Sequence, residues 1–107
     1  MNAIDGHIIN MIKEVGGGDE VWYNAGDNRF YVTSTDSTGQ TVLGVIDGDS
    51  STWIQNVPAP GIRNVSAFVG NNHIFAAVAA PAAPRAASVC LQFGLPDTGC
   101  VAVFGHL

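Results

Sequence analysis

The chain has 107 residues, of which 47% are hydrophobic and 12% charged, and it carries a net charge of −5. That length fits one small domain, and so few charges against a usual ~25% suggest a surface partly covered by other molecules, copies of the chain among them. The four cations, Lys13, Arg29, Arg63 and Arg85, are scattered along the chain, which argues against binding to nucleic acid or to an anionic membrane surface.

No apolar run approaches the ~20 residues that a membrane-spanning helix needs. The N-terminal passage has an acidic residue where a secretory signal would carry lysines. Cytoplasmic placement is therefore the default expectation.

In chain order, residues 3–18 (AIDGHIINMIKEVGGG) echo residues 45–60 (VIDGDSSTWIQNVPAP), about 42 residues later. His7–Val15 fits either a short amphipathic helix or a strand by periodicity. The later passage decides the matter. Its Ser51–Val57 part holds Thr, Trp, Ile and Val and ends at Pro58 and Pro60, so both passages are expected to be strands.

Glu20–Tyr23, the turn Asn24–Asn28 and the β-branched, aromatic stretch Arg29–Thr35 predict a hairpin. Thr41–Ile46 predicts a third strand, and Asp47-Gly48-Asp49 turns the chain into Ser51–Val57. The hairpin pattern returns at Val65–Val69, Gly70–Asn72 and His73–Val78. Gly26 then aligns with Gly70, Asn28 with Asn72 and Tyr31 with Phe75, each pair 44 residues apart. Cys100–Phe104 repeats the third strand after a long irregular insertion, Ala79–Gly99.

The order of strands is therefore outer, inner, second, third, twice over. Four-stranded antiparallel units at a period of about 44 residues are the pattern of β-propeller blades. The chain is expected to be all-β, one unit of two four-stranded blades over residues 1–107, with repeat-like segments 3–46 and 47–104.

The stretches FYVTSTD, VLGVIDGDSSTWIQNVPAP, NVSAF and NNHIFAAV resemble the repeats of the YVTN and NHL-like β-propellers. The resemblance covers most of residues 3–104 and implies a two-blade piece like the C-terminal part of a larger bacterial propeller. It implies ligand binding at one end of a central channel. It carries no activity onto particular residues.

Two blades cannot close a ring, and the second blade lacks its own outer strand. An unpaired third strand would expose backbone groups. The N-terminal strand of one subunit is therefore expected to complete the second blade of another, giving a homo-oligomeric ring of three or four chains. The rival is self-closure into a two-sheet sandwich. The seam residues would be His7, Ile8, Ile12, Cys100, Val101, Val103 and His106, with His7 and His106 approaching across it. Each histidine read alone is an ordinary edge residue.

Candidate site residues follow from loop placement. Asp19, Glu20 and Arg63 would lie at a channel mouth and bind a small molecule of unknown identity. Their plainer role is as solvated turn residues. Symmetry copies of Asp19 and Glu20 could hold a cation such as Ca²⁺, although no dense ligand motif supports one, and no metal or cofactor is assigned. Gly16-Gly17-Gly18 lacks the ending of a phosphate loop and suits a tight turn. Cys90 and Cys100 could form a disulfide or stay as two free thiols. Trp22, Tyr23, Trp53 and Phe68 are expected between blades. No nucleophile elbow or catalytic triad order is recognisable.

The expected function is a self-assembling binding or scaffold module. The alternatives are a metal-dependent hydrolase or lyase with its site on the ring axis, and a gene fragment without selected activity.

Overall fold

A computed structural model describes Gly6 and residues 8–79, 89–96 and 98–105. The chain is all-β, with two antiparallel sheets. β1 (Gly16–Asn24), β2 (Arg29–Thr35), β3 (Thr41–Asp47) and β4 (Trp53–Pro58) form sheet A as a meander. β5 (Ile62–Phe68), β6 (His73–Val78) and β7 (Cys100–Phe104) form sheet B in the same manner, with three strands. A four-residue helix, α1 (Val89–Gln92), precedes β7.

The expected strand order within each sheet is what forms, and β2, β6 and β7 have the expected bounds. The two hairpin turns are alike. Asn28 and Asn72 both adopt a left-handed backbone, with φ of 54° and 57°, a conformation that Asn tolerates better than most residues.

Residue alternation sorts the side chains. Tyr31 lies opposite Val45, and Thr33 opposite Leu43, so these four share one face of sheet A. Ile74 lies opposite Ala67 and Phe104, and Ala76 opposite Val65 and Ala102, so these share one face of sheet B. The two faces pack on each other. Leu43, 1% exposed, sits in one cluster with Tyr31, Val45, Ile62, Val65, Ile74, Ala76 and Val78. This is the main core cluster, and it lies chiefly between the sheets, with Ala59 and Cys90 joining it from the connections.

Polar contacts fix the offset of the sheets. The buried Thr33 hydroxyl donates to the Arg63 carbonyl at 3.0 Å, and the Val65 amide donates to Glu20 Oε1 at 3.1 Å. The buried Asn24 side-chain amide donates to Asn72 Oδ1 at 3.1 Å, which joins the β1–β2 turn to the β5–β6 turn. Gly26 lets these turns meet. A Cβ there would stand 2.0 Å from Asn72 Oδ1 and 2.9 Å from the Val69 carbonyl oxygen.

A disulfide joins Cys90 to Cys100, ten residues apart. It ties α1 to the start of β7, with Cys90 buried in the core cluster.

Three expectations need correction. Residues 8–15 form no strand, and the first strand begins at Gly16. The segment crosses the face of sheet A that points away from sheet B: Val15 fills the space over Gly44, 2.4 Å from where a Cβ would stand. The Asn56 side-chain amide donates to the Glu14 carbonyl at 3.0 Å, and that of Asn10 to the Ser51 carbonyl at 2.8 Å. A ladder needs a free strand edge alongside, and here the segment lies over a face.

Second, Gly16-Gly17-Gly18 is no turn. It forms a bulge inside β1, where Gly16 pairs with Thr35 but Glu20 already pairs with Thr33. Gly17 takes the left-handed φ of 58° that the bulge requires. Third, the contact between the two sheets of one chain does not bury Trp22, Tyr23, Trp53 or Phe68, which are exposed; Tyr23, Trp53 and Phe68 lie on outward faces and Trp22 at the β1 edge.

Two outcomes follow for stability. Gly26→Ala should destabilise by about 1–3 kcal/mol, since the turns cannot part without losing the Asn24–Asn72 bond; a urea titration measures it. Cys90→Ala with Cys100→Ala should cost about 2–3 kcal/mol through the lost short loop, and the same loss should appear when the native chain is reduced.

Candidate functional site

At one end of the molecule the β2–β3 and β4–β5 connections meet the start of β1. The Ala59 amide donates to the Thr41 carbonyl at 3.2 Å, and the Thr35 hydroxyl donates to the Gly16 carbonyl at 2.8 Å. Between the sheets at this end lies a cleft of about 260 Å³, lined by Gly17, Thr33, Ser34, Thr35, Thr41, Gly61, Ile62 and Arg63. Its lining is mostly hydroxyl and backbone, with Arg63 as its cation.

Arg63 is thus at the cleft, exposed on β5. Glu20 is exposed but stands in mid-β1 and not in a turn, and its carboxylate accepts from the Val65 amide of β5, a bond that ties the two sheets together. The Asp19 side chain lies outside the described residues, as do His7 and His106. Among the described residues, no group of three or more His, Cys, Asp or Glu side chains could hold a metal ion.

The remaining seam residues fall on two separate parts of the molecule. Ile8 and Ile12 belong to the segment crossing sheet A. Val101 and Val103 point outward from sheet B, at 64% and 53% exposure, and Cys100 points inward to its disulfide. Sheet A stands between these two groups within one chain.

Two further cavities adjoin β7. One of about 290 Å³ lies between Gln55 and Val57 of β4 and Phe104 and Gly105 at the end of β7, and its floor reaches the core residues Tyr31, Leu43 and Ile74. The other, about 640 Å³, is lined by Pro58, Pro60, Phe93, Leu95 and β7 from Cys100 to Phe104. Phe93 and Leu95 fall within the insertion, whose sequence carries no periodicity that would have marked them as a wall.

Charged side chains elsewhere serve turns. The Tyr31 hydroxyl donates to Asp27. Burial, and after it the bond to Asp27, pushes the Tyr31 phenol well above its ordinary value. The Thr38 hydroxyl and nearby backbone amides hold the Asp36 carboxyl below its usual range. The Ser50 amide and hydroxyl, both at 2.7 Å, do the same for Asp47. Asp47 and Gly48 are turn residues, as their spacing after a strand implies.

Both carboxylates are favoured in the folded state, so their contribution is present above the unfolded aspartate pKa. It fades as pH falls below about 4 and through the lowered folded values. Thermal melting midpoints should therefore drop on acidification in this window. Asp36→Asn with Asp47→Asn should lower the midpoint at neutral pH and flatten that drop.

Comparison with known proteins finds no matching family model, no matching curated protein and no matching solved structure.

Proposed function

We propose that the chain is a self-assembling module of the β-propeller type. Each sheet acts as a blade, copies stack head to tail into a ring, and the ring serves as a binding or scaffold module. Three chains would supply six blades and four would supply eight.

One observation carries this: the two sheets expose apolar faces that match the faces already packed in the core. Tyr31 and Phe75 occupy corresponding places, 44 residues apart. Tyr31, opposite Val45, faces sheet B; Phe75, opposite Val103, faces solvent. The outward face of sheet B therefore corresponds to the face with which sheet A grips sheet B.

The reverse also holds. Val32 corresponds to Ala76, and Val32 points outward while Ala76 is in the core. So the outward face of sheet A, carrying Val21, Tyr23 and Phe30, corresponds to the face by which sheet B is held. Packing one copy's sheet B on the next copy's sheet A repeats the contact already made inside each chain. Such a heterologous contact closes into a ring when its rotation divides a full turn. Both faces are too apolar to be expected bare.

The ligand site most consistent with this module is the hydroxyl-rich cleft beside Arg63, which lies at one end of the stacked sheets. No observation on the described side chains favours the metal-dependent hydrolase or lyase. The Cys90–Cys100 disulfide favours an oxidising compartment over the cytoplasm. No helix among the described residues is long and apolar enough to cross a membrane.

Light scattering coupled to size exclusion should give the mass of three or four chains at micromolar concentration. Phe75→Asp, on the outward face of sheet B, should yield a folded monomer with an unchanged far-ultraviolet spectrum. A wild-type monomer throughout the micromolar range overturns the proposal.

A further inference from the structure

We propose that residues 8–15 of one copy add as the fourth strand of sheet B in a second copy, pairing with the free edge of β7. This rests on the ring of stacked sheets and deepens it by naming the segment that crosses between subunits and the slot that receives it.

The slot lies beside β7, which pairs with β6 alone among the described strands, so no other described strand uses the amides and carbonyls of its second edge. The cavity of about 640 Å³ runs beside β7 from Cys100 to Phe104, and that of about 290 Å³ meets it at Phe104. Opposite β7, the smaller is lined by Gln55 and Val57 of β4 and by core side chains of β2 and β3, and the larger by Pro58 and Pro60 and by Phe93 and Leu95 of the insertion. A trough that follows a strand edge and has apolar walls suits an extended segment joining by strand addition.

The occupant is identified by position. β4 is the outer strand of sheet A, and its Val57 packs against the core that holds Ala102 of β7. The place of Ala102 in sheet A is taken by Gly44: Gly44 lies opposite Val32, and Ala102 opposite Ala76. Val15 fills the space over Gly44. Residues 8–15 therefore stand to sheet A as β4 stands to sheet B. β4 is the outer strand of the sheet that precedes sheet B. By the same rule, residues 8–15 are the outer strand of a sheet that precedes sheet A, and only another copy's sheet B fills that place in the ring.

The segment is also available. Asn10 bonds to the Ser51 carbonyl in the β3–β4 turn and Asn56 of β4 bonds to the Glu14 carbonyl, without a ladder. A crevice of about 420 Å³ separates residues 10–14 from Thr52 and Trp53. Ile8, Ile9 and Met11 are exposed, Met11 at 78%. Within one chain the segment lies over the face of sheet A that points away from sheet B, so the pairing is assigned to a second copy.

The test replaces Met11 by a benzoylphenylalanine photo-cross-linker in isotopically light chain and mixes it with heavy wild-type chain under conditions that exchange subunits. After irradiation, mass spectrometry should find light residue 11 joined to heavy residues 100–105. Ile12→Pro, which removes a ladder amide, should at the same time cut the oligomer fraction at least tenfold while leaving the monomer folded. Oligomers whose cross-links all run to residues 51–56 overturn the strand addition and leave the stacked ring standing. Chains that stay monomeric overturn both.

Discussion

The packing of one face of sheet A on one face of sheet B is the constraint on which everything else rests. Among the described residues the one helix, α1, is four residues long and cannot screen a face, so the apolar sides of the sheets are buried against each other. Leu43, Tyr31 and Val45 on one side and Ile74, Ala76 and Val65 on the other supply that burial. The offset between the sheets is then set by polar bonds at both ends: Thr33 and Glu20 to the backbone of β5, and Asn24 to Asn72. Hydrophobic contact alone is tolerant of sliding, whereas these bonds admit one alignment.

The same constraint explains why the outward faces matter. A strand with apolar residues on both sides has two faces to bury, and the contact inside one chain uses one face of each sheet. The other two remain, and Phe75 and Val32 on them correspond to Tyr31 and Ala76 of the pair already packed. The proposed assembly would repeat an existing contact and so would need no new surface chemistry.

Much of the fold was legible from the sequence. β2, β6 and β7 followed from β-branched and aromatic runs bounded by Gly, Asn and Asp, and Asn28 and Asn72 marked two turns of one shape. The candidate site was legible only in part. Arg63 was singled out from its place after the Pro58–Pro60 turn and does line the cleft. Glu20 was singled out on the same ground and instead holds a β5 amide, because a carboxylate in mid-strand meets whatever backbone lies across from it. The cleft's hydroxyls, Thr33, Ser34, Thr35 and Thr41, read in the sequence as ordinary strand residues. The walls of the β7 slot come from β4, the insertion and β7, segments far apart in the chain.

The sequence by itself determined the all-β class, the order of strands and the positions of the turns, because alternation and turn chemistry act over a few neighbouring residues. It could not determine what residues 8–15 do. Their pattern satisfies a strand, but a strand exists only where an edge is present to bond it, and which edges lie within reach is a property of the folded sheets. Only the tertiary structure decided that this segment crosses sheet A with Val15 over Gly44. It alone placed the β7 edge that no described strand pairs with on the other side of that sheet.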